Sequence, residues 1–126
     1  MTDEELLVRR WAQAVNARDR DALVAESDPD IYVYPLQVGL TGHYRGHDGA
    51  RRWLDDMDAS DLGHQVRYEG LRTLADGRIA LFGTLLLDDN PISPYTLIAT
   101  VAGDKIVQMR SYLSDEETME HLKLLR

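Results

Sequence analysis

The densest run of chemically able side chains is residues 41–49, TGHYRGHDG, with three glycines, two histidines, an arginine and an aspartate in nine positions. Such a run could cradle a phosphate on glycine backbone, or hold a metal through His43, His47 and Asp48. Neither pattern fits. The glycines stand at G-x-x-x-G-x-x-G, which is not a dinucleotide spacing, and the Gly-Lys-Ser/Thr of a phosphate loop is missing. His43 and His47 face the same way only in a helix, and Gly42 and Gly46 oppose a helix there. Two readings remain, solvated loop residues or polar groups at the mouth of a cavity. Neither calls for a metal or a cofactor.

The flanking elements must decide where these groups point. Thr2 and Glu5 form a capping box, after which Leu7, Trp11, Ala14 and Val15 repeat at helical spacing to about Ala17. DRDALVAES reads as a short second helix. DPDIYVYP is a period-two strand bounded by prolines, which suggests a sheet edge, with Ile31 and Val33 on one face and Tyr32 and Tyr34 on the other. Ala50, Trp53, Leu54 and Met57 make the apolar stripe of a third helix. From His64 the period changes to two. HQVRYEGLRTLA, RIALFGTLLLD, YTLIATVA and KIVQMRSYL form an antiparallel meander, with turns at Asp76-Gly77 and Gly103-Asp104 and a loop at DDNPISP. Ser114 and Glu117 form a second capping box before a short final helix. Helices followed by a meander make an α+β fold.

At 126 residues, one domain over 1–126 is expected. The net charge of −8 repels phosphate backbones and anionic membrane surfaces, so neither nucleic acid nor membrane is expected as a partner. Zero cysteines and an acidic start, MTDEELL, without signal-peptide character point to a cytoplasmic protein. In RIALFGTLLLD both alternating sets are apolar, so both faces of that strand must be largely dry. Three helices cover one face of a curved sheet. A second subunit is the natural cover for the other, which predicts a homodimer through the sheet, with the terminal helix and loops as the alternative cover.

In order and spacing, VNARDRDALVA after helix one, HYRGHDGARRWL opening helix three and KIVQMRSYLSD as the last strand resemble the nuclear transport factor 2-like superfamily. Within it, the chain resembles the SnoaL-like polyketide cyclases and their ketosteroid isomerase and limonene epoxide hydrolase relatives, over nearly its whole length. The resemblance implies a cone-shaped α+β barrel, a strongly curved, mostly antiparallel sheet wrapped around three N-terminal helices and enclosing an apolar cavity. It places TGHYRGHDG at the cavity mouth, where Gly46 and Gly49 permit tight entry to helix three and Asp48 suits its first turn. It further implies that the outer face of the sheet pairs two subunits, and it gives Arg110 and Tyr112 that role.

The isomerase branch of that family carries a tyrosine on helix one, an aspartate ending the first strand and a second acid on a later strand. Trp11, Tyr34 and Leu97 stand in those places here. The Asp-Arg-Asp set of the epoxide hydrolase branch falls near Thr84, Leu86 and Ser111 and is likewise missing. The inward set implied by the resemblance, with strand parity, is Tyr32, Tyr34, Ala80, Phe82, Thr84, Leu97, Ala99, Val107, Met109, Ser111 and Leu113, joined by Trp11 and Trp53. These residues either fill the cone or line a pocket for a small lipophilic, oxygenated ligand. For catalysis, His43 is the acid/base candidate and Tyr34 the hydrogen-bond donor. His64, Asp28, Asp30 and Tyr68 are weaker candidates, with Tyr68 kept as a ligand contact. The functional expectation is cofactor-free acid/base chemistry of the cyclase or isomerase type, the alternative a noncatalytic binding or dimerisation module.

Overall fold

A computed structural model describes residues 1–35, 43–60 and 62–124. Helix α1 (Asp3–Ala17) starts at the expected capping box, in which the Glu5 amide donates to Thr2 Oγ1 and the Thr2 amide to Glu5 Oε1. Helix α2 (Arg20–Ala25) is capped by Asp19, and strand β1 (Ser27–Tyr34) follows. A two-residue strand β2 (Tyr44–Arg45) leads into helix α3 (Gly46–Ser60). Gly46, at φ +75°, makes the entry turn that L side chains rarely adopt. Strands β3 (His64–Thr73), β4 (Ile79–Leu87), β5 (Asn90–Ala102) and β6 (Lys105–Tyr112) make the meander, and helix α4 (Glu116–His121) ends the described fold.

The sheet order is β2-β1-β6-β5-β4-β3, antiparallel except where β1 runs parallel to β6. The sheet curls without closing, and its concave face packs on α1 and α3. Three boundaries differ from the sequence reading. Strand β1 is not the edge, because β2 pairs outside it. The predicted DDNPISP loop is largely strand: Asp88 and Asp89, at φ 50° and 67°, form a two-residue turn, so β5 begins at Asn90. Pro91 and Pro94 are tolerated there because β6 pairs only with Thr96 onward, leaving no ladder on that side for them to break. The last helix is capped by Asp115, which accepts from the Thr118 amide at 2.8 Å, one residue after the expected Ser114.

The two sheet faces carry separate clusters. Ile31, Val33, Ile79, Leu81, Leu85, Tyr95, Leu97, Ala99, Ile106 and Met109 pack on the concave side with Leu7, Trp11, Leu23, Trp53 and Leu54 of the helices. Leu74, Ala80 and Ile98 pack on the convex side under Met119 of α4, with Phe82 and Tyr112 at the margin. Part of the outer face is thus covered by the chain itself.

This division corrects the inward set on two strands. On β4 the odd residues face inward, so Ala80, Phe82 and Thr84 belong to the convex face. Hydrophobicity could not decide this, since both sets are apolar. Gly83 does: a Cβ there would lie 2.2 Å from the Arg67 carbonyl oxygen, so only glycine lets β3 and β4 bend so sharply together. On β1 the fully buried Ile31 and Val33 face the helices, which turns Tyr32 and Tyr34 outward. Val107 lies at the irregularity that breaks the β5–β6 register, and Leu113 is 53% exposed.

Candidate functional site

Between the helices and the concave sheet lies an internal cavity of about 50 Å³. Trp11 of α1 and Trp53 of α3 form one wall, their rings 5.6 Å apart and inclined by 23°. Trp11 is fixed from behind. Its Nε1 donates to Ser27 Oγ at 2.9 Å, and that hydroxyl donates to the Leu23 carbonyl at 2.7 Å. An indole N–H and a serine hydroxyl are thereby satisfied in a dry interior, as burial demands.

The sheet supplies the opposite wall. Tyr68 of β3, Gly83 of β4 and Tyr95 of β5 are register partners in one row across three strands, and the two phenols line the cavity. The Tyr95 and Ser111 hydroxyls share a hydrogen bond of 2.7 Å, while the Tyr68 hydroxyl has no such partner among the described residues. Burial pushes the Tyr95 phenol up to about 12, partly offset by Ser111. Burial first, and then proximity to Tyr95, raise Tyr68 well above its ordinary value. Both phenols therefore stay protonated donors at neutral pH. Leu85 and Leu97 complete this wall.

The cavity mouth is polar, and most of its polar groups are already engaged. Asn16 Nδ2 donates to the Val66 carbonyl at 2.8 Å, and its Oδ1 accepts from the Val66 amide at 3.0 Å. Arg18, in the left-handed region at φ 55°, donates to the Val15 and His64 carbonyls and to Asp58. These contacts lock the end of α1 to the start of β3. His64 also lines the mouth, and burial, followed by the Arg18 charge, lowers its pKa and keeps the imidazole neutral at neutral pH. No carboxylate lines the cavity among the described residues.

Of the predicted ligand contacts, Trp11, Trp53, Tyr68, Leu97 and Ser111 meet at this cavity. Met109 is buried in the concave core without lining it. The others lie elsewhere. Phe82 and Thr84 are on the convex face, where Thr84 Oγ1 donates to Glu69. Tyr32, Tyr34 and His43 stack together on the outer side of β1, with ring centroids 5.3–6.2 Å apart. Arg45 and Arg110 lie over the two phenol rings at 4.9 and 4.2 Å. The expected catalytic pair His43 and Tyr34 is therefore together but on the wrong side of the sheet, because the alternation along β1 commits Ile31 and Val33 to the core.

The rest of the opening cluster disperses. His47 Nε2 meets the Ser27 carbonyl at 2.9 Å, while the Asp48 side chain is 94% exposed and pairs with Arg51. Thr41 and Gly42 lie outside the described residues. Asp28 accepts from the Asp30 amide at 2.9 Å as a local turn. Sequence reasoning missed Tyr95 and underrated His64. Tyr95 shares parity with Leu97, and that signal was available. His64 needed the docking of α1 against β3, which no local pattern carries.

A SnoaL-like domain family model matches residues 8–109. Comparison with curated proteins gives no match. Among solved structures, TerC co-crystallised with polyporic acid superposes with a TM-score of 0.74 at 17% identity, covering 98% of each chain. A Sinorhizobium meliloti protein provisionally called a polyketide cyclase gives 0.70 at 15% identity, covering 89% of this chain and 100% of that one. A Kribbella flavida protein provisionally called a ketosteroid isomerase gives 0.71 at 18% identity, covering 90% of this chain and 78% of that one. Likeness at such identities establishes the nuclear transport factor 2-like fold. Among the described residues no helix is long and apolar enough to cross a membrane.

Proposed function

Because the chain belongs to the SnoaL-like domain family, we propose that it is a cofactor-free pocket protein of the cyclase or isomerase type, acting on a small lipophilic compound that carries an acceptor oxygen. The observation that carries this reading is the Tyr68 hydroxyl, a protonated donor facing an apolar cavity with no hydrogen-bond partner among the described residues. A carbonyl oxygen placed against Tyr68 gains a hydrogen bond that strengthens if negative charge develops on that oxygen. Tyr95 and Ser111, two and three strands further on, add hydroxyls to the same wall. Neutral His64 at the mouth is the group able to take a proton from a carbon next to the carbonyl and to return it elsewhere. Proton transfer of this kind needs only the substrate and these side chains. The co-crystallisation of polyporic acid with TerC, a protein of the same fold, supports a small oxygenated ligand.

A second reading has its own support. With no carboxylate lining the cavity among the described residues, the chain could bind such a compound without transforming it. One pair of measurements tests both. In a thermal-shift screen of small ketones, phenols and epoxides, a true ligand at a hundred times its dissociation constant adds about 2.7 kcal/mol of stability. Tyr68→Phe is expected to weaken binding of the oxygenated hit about tenfold, equivalent to one neutral hydrogen bond of about 1.4 kcal/mol. Deuterium exchange next to the carbonyl of a bound ketone, abolished by His64→Gln, marks the enzyme. Binding without exchange marks the binding module, and a screen without any hit refutes the pocket reading.

A homodimer through the outer sheet face belongs to the same proposal. Phe82 and Tyr112, partly buried at the margin of the cluster under α4, supply the apolar surface for it, with the cationic aromatic stack of β1 beside them.

A further inference from the structure

We infer that the cavity admits a single-ring compound and excludes fused polycycles, and that Trp53 sets this limit. The inference rests on the pocket reading above and narrows its substrate class.

The cavity floor cannot retreat. Trp11 is fully buried and held to Ser27, itself fixed to the Leu23 carbonyl, so it cannot swing without breaking a buried hydrogen bond. Trp53 stacks on it and is itself only 6% exposed, with fully buried Ala50 and Leu54 on either side along α3. Across the cavity the sheet wall is equally committed. Tyr68, Tyr95, Leu97 and Ser111 stand on strands held by continuous pairing within one sheet.

The space left between these walls is about 50 Å³, room for on the order of four waters. At about 30 Å³ of liquid volume per water, that is the bulk of one substituted six-membered ring. Typical drug-sized sites begin at about 300 Å³. The shape agrees with the volume. A flat ring can lie against the indole of Trp53, the preferred packing of two aromatic faces, while one substituent reaches the hydroxyl of Tyr68. Tyr95 and Ser111 share a single hydrogen bond, so one of the two hydroxyls keeps a donor for a second substituent oxygen on the same wall. A rigid second or third fused ring exceeds this volume, and on the helix side it meets Trp53.

The test is isothermal titration of the wild-type chain and of Trp53→Leu with two probe sets. One set is single-ring ketones such as 4-hydroxyacetophenone; the other is four-ring steroid enones. The wild type should bind at least one single-ring ketone at least about tenfold more tightly than any steroid, a discrimination within reach of steric exclusion in an apolar pocket. Trp53→Leu should shrink that preference by about tenfold or more, its near-ultraviolet dichroism confirming a packed core. Wild-type binding of steroids as tight as of single-ring ketones would overturn the size limit and leave the pocket reading intact. An unchanged preference in a folded Trp53→Leu would overturn the role of Trp53. Binding of neither probe set, together with a blank thermal-shift screen, would overturn the pocket reading itself.

Discussion

Tyr68 and Tyr95 illustrate how far a side chain's chemistry depends on what surrounds it. Both are phenols on alternating strands, yet one is matched to Ser111 and the other has no hydrogen-bond partner among the described residues. Their protonation is tied to the fold. Each folded pKa is raised, so above the unfolded value near 10 the native state holds more protons than the unfolded chain, and stability falls as pH rises. For Tyr95 the loss runs from about pH 10 to about pH 12. Absorbance titration of the phenols at 295 nm should show two of the six tyrosines ionising late or only on unfolding. Replacing both by phenylalanine should remove that late component, and its persistence would show that other tyrosines are the buried ones. His64 runs in the opposite direction, at lower pH. Its folded pKa is lowered, so its contribution is present above the ordinary value of 6.5 and is lost as pH falls below it.

At the scale of elements, the junction of β3 and β4 shapes the site. The register slips between Tyr68 and Gly70, which keeps Val66, Tyr68 and Leu71 all on the concave side despite their uneven spacing. Gly83 sits opposite Tyr68 and gives the bend its room. Gly83→Ala drives a Cβ into the Arg67 backbone and is expected to cost about 1–3 kcal/mol, the range for overpacking. It should also impair ligand binding by displacing Tyr68, whereas Gly70→Ala, where an added Cβ meets nothing within 4 Å, should leave both stability and binding nearly unchanged. Chemical denaturation of the two variants makes the comparison. Equal stability of the two would remove the structural role given to Gly83. The docking of α1 depends on the clamp of Asn16 and Arg18 on β3, which also forms the rim of the cavity.

For the whole molecule, the distribution of apolar surface is decisive. The helices cover the concave face and Met119 covers Leu74, Ala80 and Ile98, while Phe82 and Tyr112 remain partly open. A dimer through this face should have twice the chain mass of 14.3 kDa in light scattering. Phe82→Glu with Tyr112→Glu should shift it to the monomer without unfolding, because neither residue belongs to the concave core. A wild-type monomer at high concentration would show that α4 suffices as cover. Two copies of a chain with net charge −8 repel at low ionic strength, so any dimer should tighten with added salt until screening is complete.

The sequence by itself determined the element order, the meander, the first capping box, the stripe of α3 and the presence of apolar residues on both sheet faces. These are local consequences of spacing and propensity. Trp11, Trp53, Leu97 and Ser111 were placed inside the cone by the family resemblance together with strand parity, as core filling or pocket lining. Which face of β1 and β4 turns inward was decided only by the tertiary structure. Period-two alternation separates two sets of residues without saying which is inside, and when both sets are apolar the hydrophobic effect does not discriminate. Long-range packing broke that tie: β1, with Ile31 and Val33 buried, packed on α2 and α3, and the Arg67 carbonyl closed on Gly83. The same choice sent His43 and Tyr34 to the outer surface and gave the cavity to Tyr68, Tyr95 and His64.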